Sequence, residues 1–266
     1  MRLTVMTFNL RYSNPHDGDN AWPYRKEQAA GLIRDVAPDV VGVQEALFSM
    51  LCELEEMLPE YEWIGEGRGG GINSEFSAVL YRRERLQPVT AGRFWLSHRP
   101  GVPASRVPET GLPRMCTHVR FRERGSEREF LFYNTHLDHQ NQVARQLGAE
   151  LIVDHIVSEW EYYPLPTLVT GDMNAKPQNP AIAAFLIGRK GDRVLYDAYD
   201  WFLARGEAVG RTFHGYKGGT DGEPIDYIFH SSHFRVSELV VDRRSQDGRY
   251  PSDHYPVWGT FESEPV

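Results

Sequence analysis

The segment Asp39-Val-Val-Gly-Val-Gln44 is apolar at successive positions, not at alternate ones. A strand with one wet face alternates, so an unbroken apolar run of strand length needs cover on both faces. Residues 166–170, Pro-Thr-Leu-Val-Thr, read as a second buried strand. A chain obliged to bury such strands must stack layers on either side of a sheet. Its helical segments can supply them. Pro23 opens a helix where its missing N–H costs little, with Ala29, Ala30, Ile33 and Val36 on the apolar side and a stop near Pro38. Leu47, Leu51, Leu54 and Leu58 follow at helical spacing. A long helix is predicted from about Gln142, with Val143, Leu147, Leu151 and Ile152 on one side.

Further extended segments are predicted at residues 3–9, 76–81, 115–121, 129–136, 225–230, 236–241 and 255–261. Gly125 and Ser126 lie in a polar turn that joins two of them as a hairpin. With hairpins and helical crossovers mixed, and no repeat or long linker, the pattern predicts an α/β fold. Two packed sheets covered by helices, within a single domain spanning 1–266, suit it.

Charge narrows the partners. The 266 residues carry a formal charge of −8 and a pI near 5.7. A protein that grips long nucleic acid usually presents a basic face, and no basic run is present. Residues 120–128 mix Arg with Glu123 and Glu127 and read as a solvated hairpin. Cys52 and Cys116 match neither a zinc-site spacing nor a disulfide framework, and read as reduced thiols. The first residues lack the apolar core of a signal peptide, and no run reaches membrane-span length. A cytoplasmic protein with no obligate protein partner is the expectation.

Six short polar groups sit at the ends of predicted strands: Thr7-Phe-Asn9, Gln44-Glu45, Thr135-His-Leu-Asp138, Gly171-Asp-Met-Asn174, Ile225-Asp226-Tyr227 and Ser252-Asp-His254. Polar residues at the tips of rigid strands are a recurring way to assemble a site. Carboxylates and amides outnumber imidazoles here. Zinc prefers His and Cys, whereas Mg²⁺ takes one or two carboxylates and completes its shell with water and phosphate oxygens. Mn²⁺ accepts similar ligands. The mixture therefore points to Mg²⁺, or alternatively Mn²⁺, and a phosphate-ester substrate.

Asn9, Gln44-Glu45, Thr135-His136, Gly171-Asp-Met-Asn174, Asp226 and Ser252-Asp-His254 stand in the order in which the endonuclease/exonuclease/phosphatase superfamily carries its motifs. The chain resembles that superfamily over essentially its whole length. Asn14-Pro-His-Asp-Gly-Asp and Trp22-Pro-Tyr-Arg-Lys look like a bacterial branch of it. The resemblance implies a DNase I-like fold, a four-layer sandwich of two mixed β-sheets flanked by helices. It implies that Glu45 is the principal metal ligand, helped by Asn9 and Asp253. Asp172 would position the attacking water, and Asn174 would hold that water or the phosphoryl oxygens. His254, oriented by Asp226, and His136 would contact the scissile phosphate.

Each residue has a plain structural role as its alternative. Glu45 suits a first helical turn, Asp172 and Asn174 an Asx-turn, and His136 a satisfied core position. It is the set in order that favours catalysis. Arg114, ahead of a strand, has the planar fork to clamp a phosphate, and a surface ion pair is its alternative. His139 is a second candidate for substrate binding, with a helix-start contact as the alternative. Asn73 and Glu75 are placed to face a cleft, Arg68-Gly-Gly-Gly71 to form a substrate loop, and Trp22 and Trp95 to stack on a base or sugar.

The expected activity is hydrolysis of a phosphodiester or phosphomonoester, with a nucleotide or single-stranded nucleic acid preferred to long duplex DNA, and sugar or lipid phosphates also within reach. A binding protein that lost catalysis on the same fold is the competing reading. Against it, Glu45, Asp172, Asn174, Asp226 and His254 are all intact. A zinc hydrolase of unrelated fold would need a ligand cluster richer in His, and in His136-Leu-Asp-His139 the spacing is wrong.

Overall fold

The computed structural model describes residues 1–188 and 191–263. In chain order its elements are β1 (Arg2–Asn9), α1 (Trp22–Val36), β2 (Val40–Gln44), α2 (Phe48–Met57), β3 (Tyr61–Ile64), β4 (Val79–Arg82), β5 (Leu86–Trp95) and β6 (Met115–Glu123). There follow β7 (Glu129–His136), α3 (Gln142–Tyr162), β8 (Thr167–Asp172), α4 (Pro180–Leu186), β9 (Tyr196–Asp197), α5 (Asp200–Leu203), β10 (Asp226–His230), β11 (Arg235–Val241) and β12 (Val257–Glu262).

The strands form two six-stranded sheets, ordered β11-β12-β1-β2-β4-β3 and β5-β6-β7-β8-β10-β9. Each sheet has one parallel pair at its centre, β1 with β2 and β7 with β8, among antiparallel neighbours. The sheets pack face to face. Helices α1 and α2 cover the outside of the first through Ala29, Ile33, Leu51 and Leu54, which meet Met6, Phe8, Val41 and Val43. Helices α3 and α4 cover the second, where Ile152, Ile156, Ile182 and Phe185 join the large core. This is the expected sandwich of two mixed sheets flanked by helices. No helix among the described residues is long and apolar enough to cross a membrane.

Local chemistry sets the boundaries. Helix α1 ends where Ala37 turns left-handed (φ 49°) and returns its N–H to Ile33 O, just before Pro38. Asn141 caps α3 by accepting from Ala144 N at 3.0 Å, and Asn179 caps α4 by accepting from Ala181 N. The long helix buries only part of the face expected of it, Ile152 with Leu151 packed beside it. Val143 is 69% exposed, and the sheet is met by Ala144, Gly148, Ala149, Ile152, Val153 and Ile156. A Cβ on Gly148 would stand 3.1 Å from Leu96 and Leu137 side-chain atoms. The helix sits so close that Ala144, Gly148 and Ala149 mark the contact beside Ile152, and a count of large aliphatics misses them.

Four strands depart from expectation, the short β3 and β9 among them, which no expected segment covers. β4 begins at Val79, because Phe76 instead bridges Ala46 and Gly67. β5 was not expected, since it is an edge strand carrying Pro88 and Gly92, with a register shift between Pro88 and Thr90. Proline cannot donate to a ladder and survives at such an edge.

The face between the sheets changes character along each central strand. It reads Leu3, Val5, Thr7, Asn9 on β1 and Val40, Gly42, Gln44 on β2. On β7 it reads Phe130, Phe132, Asn134, His136, and on β8 Leu168, Thr170, Asp172. Parallel pairing aligns the polar ends: Asn9 opposes Gln44, His136 opposes Asp172, and antiparallel β10 brings Asp226 opposite Asp172. Gly42 permits the closest approach of the sheets, since a Cβ there would lie 2.1 Å from Thr170 Oγ1. Beside it, Asn134 donates across the gap to the carbonyls of Val43 and Ala78, and Gln44 donates to Asn134 Oδ1 at 2.7 Å.

Candidate active site

Asp172 ends β8 on this polar edge and is 2% exposed. Its Oδ1 accepts from Asn174 N at 2.9 Å, an Asx-turn that puts Asn174 in a left-handed conformation (φ 47°). Its Oδ2 accepts from Asn9 Nδ2 at 2.9 Å and lies 3.5 Å from His136 Nε2 and 3.8 Å from His254 Nε2. The turn alternative and the site are thus the same structure: the turn aims Asn174 Nδ2 at His136 Nε2, 3.0 Å away, and at Leu137 O. Burial, then the nearby charge of Asp226, holds the Asp172 carboxyl above the usual carboxylate range, against the opposing pull of His254.

His254 lies in the segment before β12. Its ring Nδ1 is 2.9 Å from Asp226 Oδ2, and its backbone N donates to Ser252 Oγ, which in turn donates to Asn9 O at 2.6 Å. Burial alone would strip the imidazole of its proton. The carboxylates of Asp226, Asp172 and Asp253 outweigh it and push His254 up to about 10. Asp226 is anchored in turn, its N–H donating to Thr212 Oγ1 and its carbonyl accepting from Tyr199 at 2.6 Å. His136 behaves in the opposite way: burial, then the charges of Arg114 and Arg68, pushes it well below the ordinary value and keeps it neutral.

Glu45 follows β2 in a left-handed conformation (φ 59°), two residues ahead of the residue that caps α2, so it is not a helix-start residue. Its Oε1 accepts from Asn9 Nδ2 at 3.2 Å and its Oε2 from Tyr12 N at 3.1 Å. Asp253 is raised by burial first, and Glu45 adds to it. Two carboxylates facing one cleft are best stabilised as ions by a cation between them. Their hard oxygen atoms fit Mg²⁺ or Mn²⁺ better than zinc. Among the described residues, Asp172, Asp226 and His254 bring donor atoms within 4.8 Å of one another. There the carboxylates around His254 favour its charged form, and a charged imidazole has no lone pair to give a metal.

Glu45, Arg114, His136, His139, Asp172, Asn174, Asp253 and His254 all line one cleft of about 660 Å³. Asn9 and Asp226 lie beneath, bonded to Asp172 and His254. The ten side chains expected to be catalytic, metal-holding or phosphate-binding therefore converge. Arg114 is buried and no surface ion pair; its Nη2 lies 2.9 Å from His139 Nδ1, which gives His139 a partner other than the helix start. Glu75 faces the cleft, bound to Arg68. The glycine loop is tied down by Gly71 N to Glu66 and Gly69 N to Ser74 Oγ.

Trp22 and Trp95 do not reach the cleft. Both are buried, donating to Glu53 and to Arg68 O respectively. The aromatic at the rim is Phe213, 48% exposed and 5.0 Å from the His254 ring. Nothing in its Gly-rich loop marked it out. Arg11 and Tyr12 also line the cleft, and their closeness to Asn9 was the available signal.

The sequence profile of the endonuclease/exonuclease/phosphatase family matches residues 6–254. No protein with a curated description matches the sequence. Among solved structures, a family protein from Bacteroides thetaiotaomicron is 32% identical, with a TM-score of 0.90 over 98% of this chain and 95% of that one. A mannosyl-6-phosphatase from the same species is 33% identical, with a TM-score of 0.88 over 98% of both chains. The human Nocturnin catalytic domain, solved with sulfate, shares the fold at 19% identity, with a TM-score of 0.78 over 99% of this chain and 94% of that one.

Proposed function

The chain belongs to the endonuclease/exonuclease/phosphatase family, and from that premise we propose that it is a divalent-metal-dependent phosphoesterase in which Asp172 orients the attacking water. The observation that carries this reading is the position of Asp172 Oδ2. One oxygen atom, buried at the floor of an open cleft, stands within 3.8 Å of Asn9 Nδ2, His136 Nε2 and His254 Nε2.

Glu45, with Asn9 and Asp253, would hold the metal, Mg²⁺ or alternatively Mn²⁺. When bound there, it neutralises charge on the phosphoryl oxygens and on the departing oxygen. Water held between Asp172 and Asn174 gives its proton to the Asp172 carboxylate as it attacks phosphorus. A carboxyl held above its usual range by burial is a stronger base for that step than an exposed one. His254, kept charged by Asp226, donates from Nε2 to the phosphate as negative charge develops. Neutral His136, whose Nε2 accepts from Asn174 Nδ2, would donate to a non-bridging oxygen from its other ring nitrogen. These donors are fixed by strand ends and by one another, so little reorganisation is needed at the moment of reaction.

The substrate is small or single-stranded. The net charge of −8 supplies no field for long duplex DNA, and one relative is a mannosyl-6-phosphatase. Against the reading of an inactive binding protein stands the cost of keeping three buried carboxylates and a charged imidazole together with no chemistry to perform.

The test is turnover of sugar phosphates, nucleotides, dinucleotides and oligoribonucleotides with Mg²⁺, Mn²⁺ or EDTA. Activity abolished by EDTA, and reduced by orders of magnitude in Asp172→Asn and His254→Ala with the fold intact, is the expected result. Metal-independent turnover, or full turnover by either variant, rejects the reading.

A further inference from the structure

Arg114 is buried against the catalytic floor, 6% exposed, and its Nε and Nη1 have no hydrogen-bond partner among the described residues. Nη2 alone is engaged, by His139. Asp138 Oδ2 forms an ion pair with Nε at 3.7 Å, beyond hydrogen-bond reach, while its Oδ1 accepts from the N–H groups of Gln140 and Asn141. Arg68, the other cation at this end, is taken by Glu75. Burying a guanidinium with open N–H groups is costly unless a ligand completes it. Its planar fork matches the oxygens of a phosphate.

The space in front of Arg114 has a telling size. A side pocket of about 10 Å³ lies between Arg114, Glu45, Glu75 and His136, and Phe76 and Ser77 also line it. That is room for about one water-sized atom. An oxygen seated in it fits, whereas a carbon substituent continuing from that oxygen would have to turn back into the main cleft, which Arg114 also lines. In the other direction the cleft broadens past Leu112 and Phe213, both exposed, where a leaving group has room.

We propose that Arg114 takes an unsubstituted equatorial oxygen of the transferred phosphoryl group, and that this contact makes the protein a phosphomonoesterase that discriminates against diesters. The inference rests on the phosphoesterase reading above. A phosphoryl group in transfer presents three equatorial oxygens. Two face the Glu45 side and the His136–Asn174 side, and the third meets Arg114. In a diester that third oxygen carries the second ester group, which the side pocket cannot hold. A monoester also carries roughly −1.5 to −2 charges near neutral pH, against one for a diester, and the open guanidinium matches the difference.

The experiment compares kcat/KM for p-nitrophenyl phosphate and its methyl ester with Mg²⁺ present, in the wild type, Arg114→Gln and Arg114→Lys. It also measures inorganic phosphate affinity by calorimetry. The wild type should prefer the monoester. Each variant should shrink the monoester-to-diester ratio by roughly 10- to 100-fold and weaken phosphate binding by a similar factor. A wild type that prefers the diester, a ratio unchanged in a folded variant, or unchanged phosphate affinity overturns the assignment of Arg114 while leaving the phosphoesterase reading in place. A wild type that hydrolyses neither this pair nor any member of the broader panel defeats that underlying reading. If Arg114→Gln fails to fold, the lysine variant, which keeps the charge and loses the fork, decides together with the wild-type preference.

Discussion

Nδ1 of His254 and Oδ2 of Asp226 lie 2.9 Å apart in the protein interior, joined by a hydrogen bond between residues 28 positions apart in the chain. The pair fixes which ring nitrogen faces the cleft and keeps the ring charged where burial alone would discharge it.

Replacing Asp226 with Asn keeps the shape and removes the charge. His254 should then titrate well below 10, and turnover should fall by roughly 10²- to 10⁴-fold. Imidazole nitrogen NMR across a pH series checks the first and steady-state kinetics the second. An imidazole that titrates unchanged would deny Asp226 its role.

The same pair sets a pH dependence of stability. The folded-state pKa of His254 lies above its unfolded value of about 6.5, so its contribution is fully present below that value. It is lost as pH rises through about 10. Urea unfolding midpoints should fall between pH 7 and 10, and fall less in Asp226→Asn. Parallel pH profiles for the two proteins would contradict the linkage.

Glu45→Gln removes one negative charge from the proposed metal site while keeping the left-handed backbone position. The Mg²⁺ concentration for half-maximal activity should rise by roughly tenfold or more. A titration curve that superimposes on the wild type would reject Glu45 as the main ligand.

Gly42→Ala tests the packing that brings the strand ends together. The new methyl would overlap Thr170 Oγ1 and Asn134 Oδ1, and overpacking of this kind costs roughly 1–3 kcal/mol. Thermal denaturation should show a lower midpoint, with turnover falling as the Gln44–Asn134 bond shifts. A midpoint equal to the wild type would mean that the sheets are not held as close as described.

Much of this was legible in the sequence because the site sits where periodic structure ends. Asn9, Glu45, His136, Asp172 and Asp226 each start, end or directly follow a strand, and apolar runs that stop at polar residues are visible without coordinates. What stayed hidden depends on contacts between distant segments. The contact face of α3 is set by how closely Gly148 approaches Leu96 and Leu137, which helical spacing alone cannot report. The burial of Trp22 and Trp95 depends on Glu53 and on the carbonyl of Arg68. Phe213 stands in a loop with no periodicity, and its place beside His254 follows from an isolated bridge between those two residues.

The change from apolar to polar along the inner faces of β1, β2, β7 and β8 divides the labour of the molecule. The proposed reactive groups sit at or beside strand ends, whereas the Gly-rich stretch carrying Arg68 and the loop bearing Phe213 border the cleft. Exchanging those borders for the corresponding stretches of another family member should therefore retarget the catalyst without rebuilding its engine. Any change that reaches the strand tips would extinguish it whatever the target.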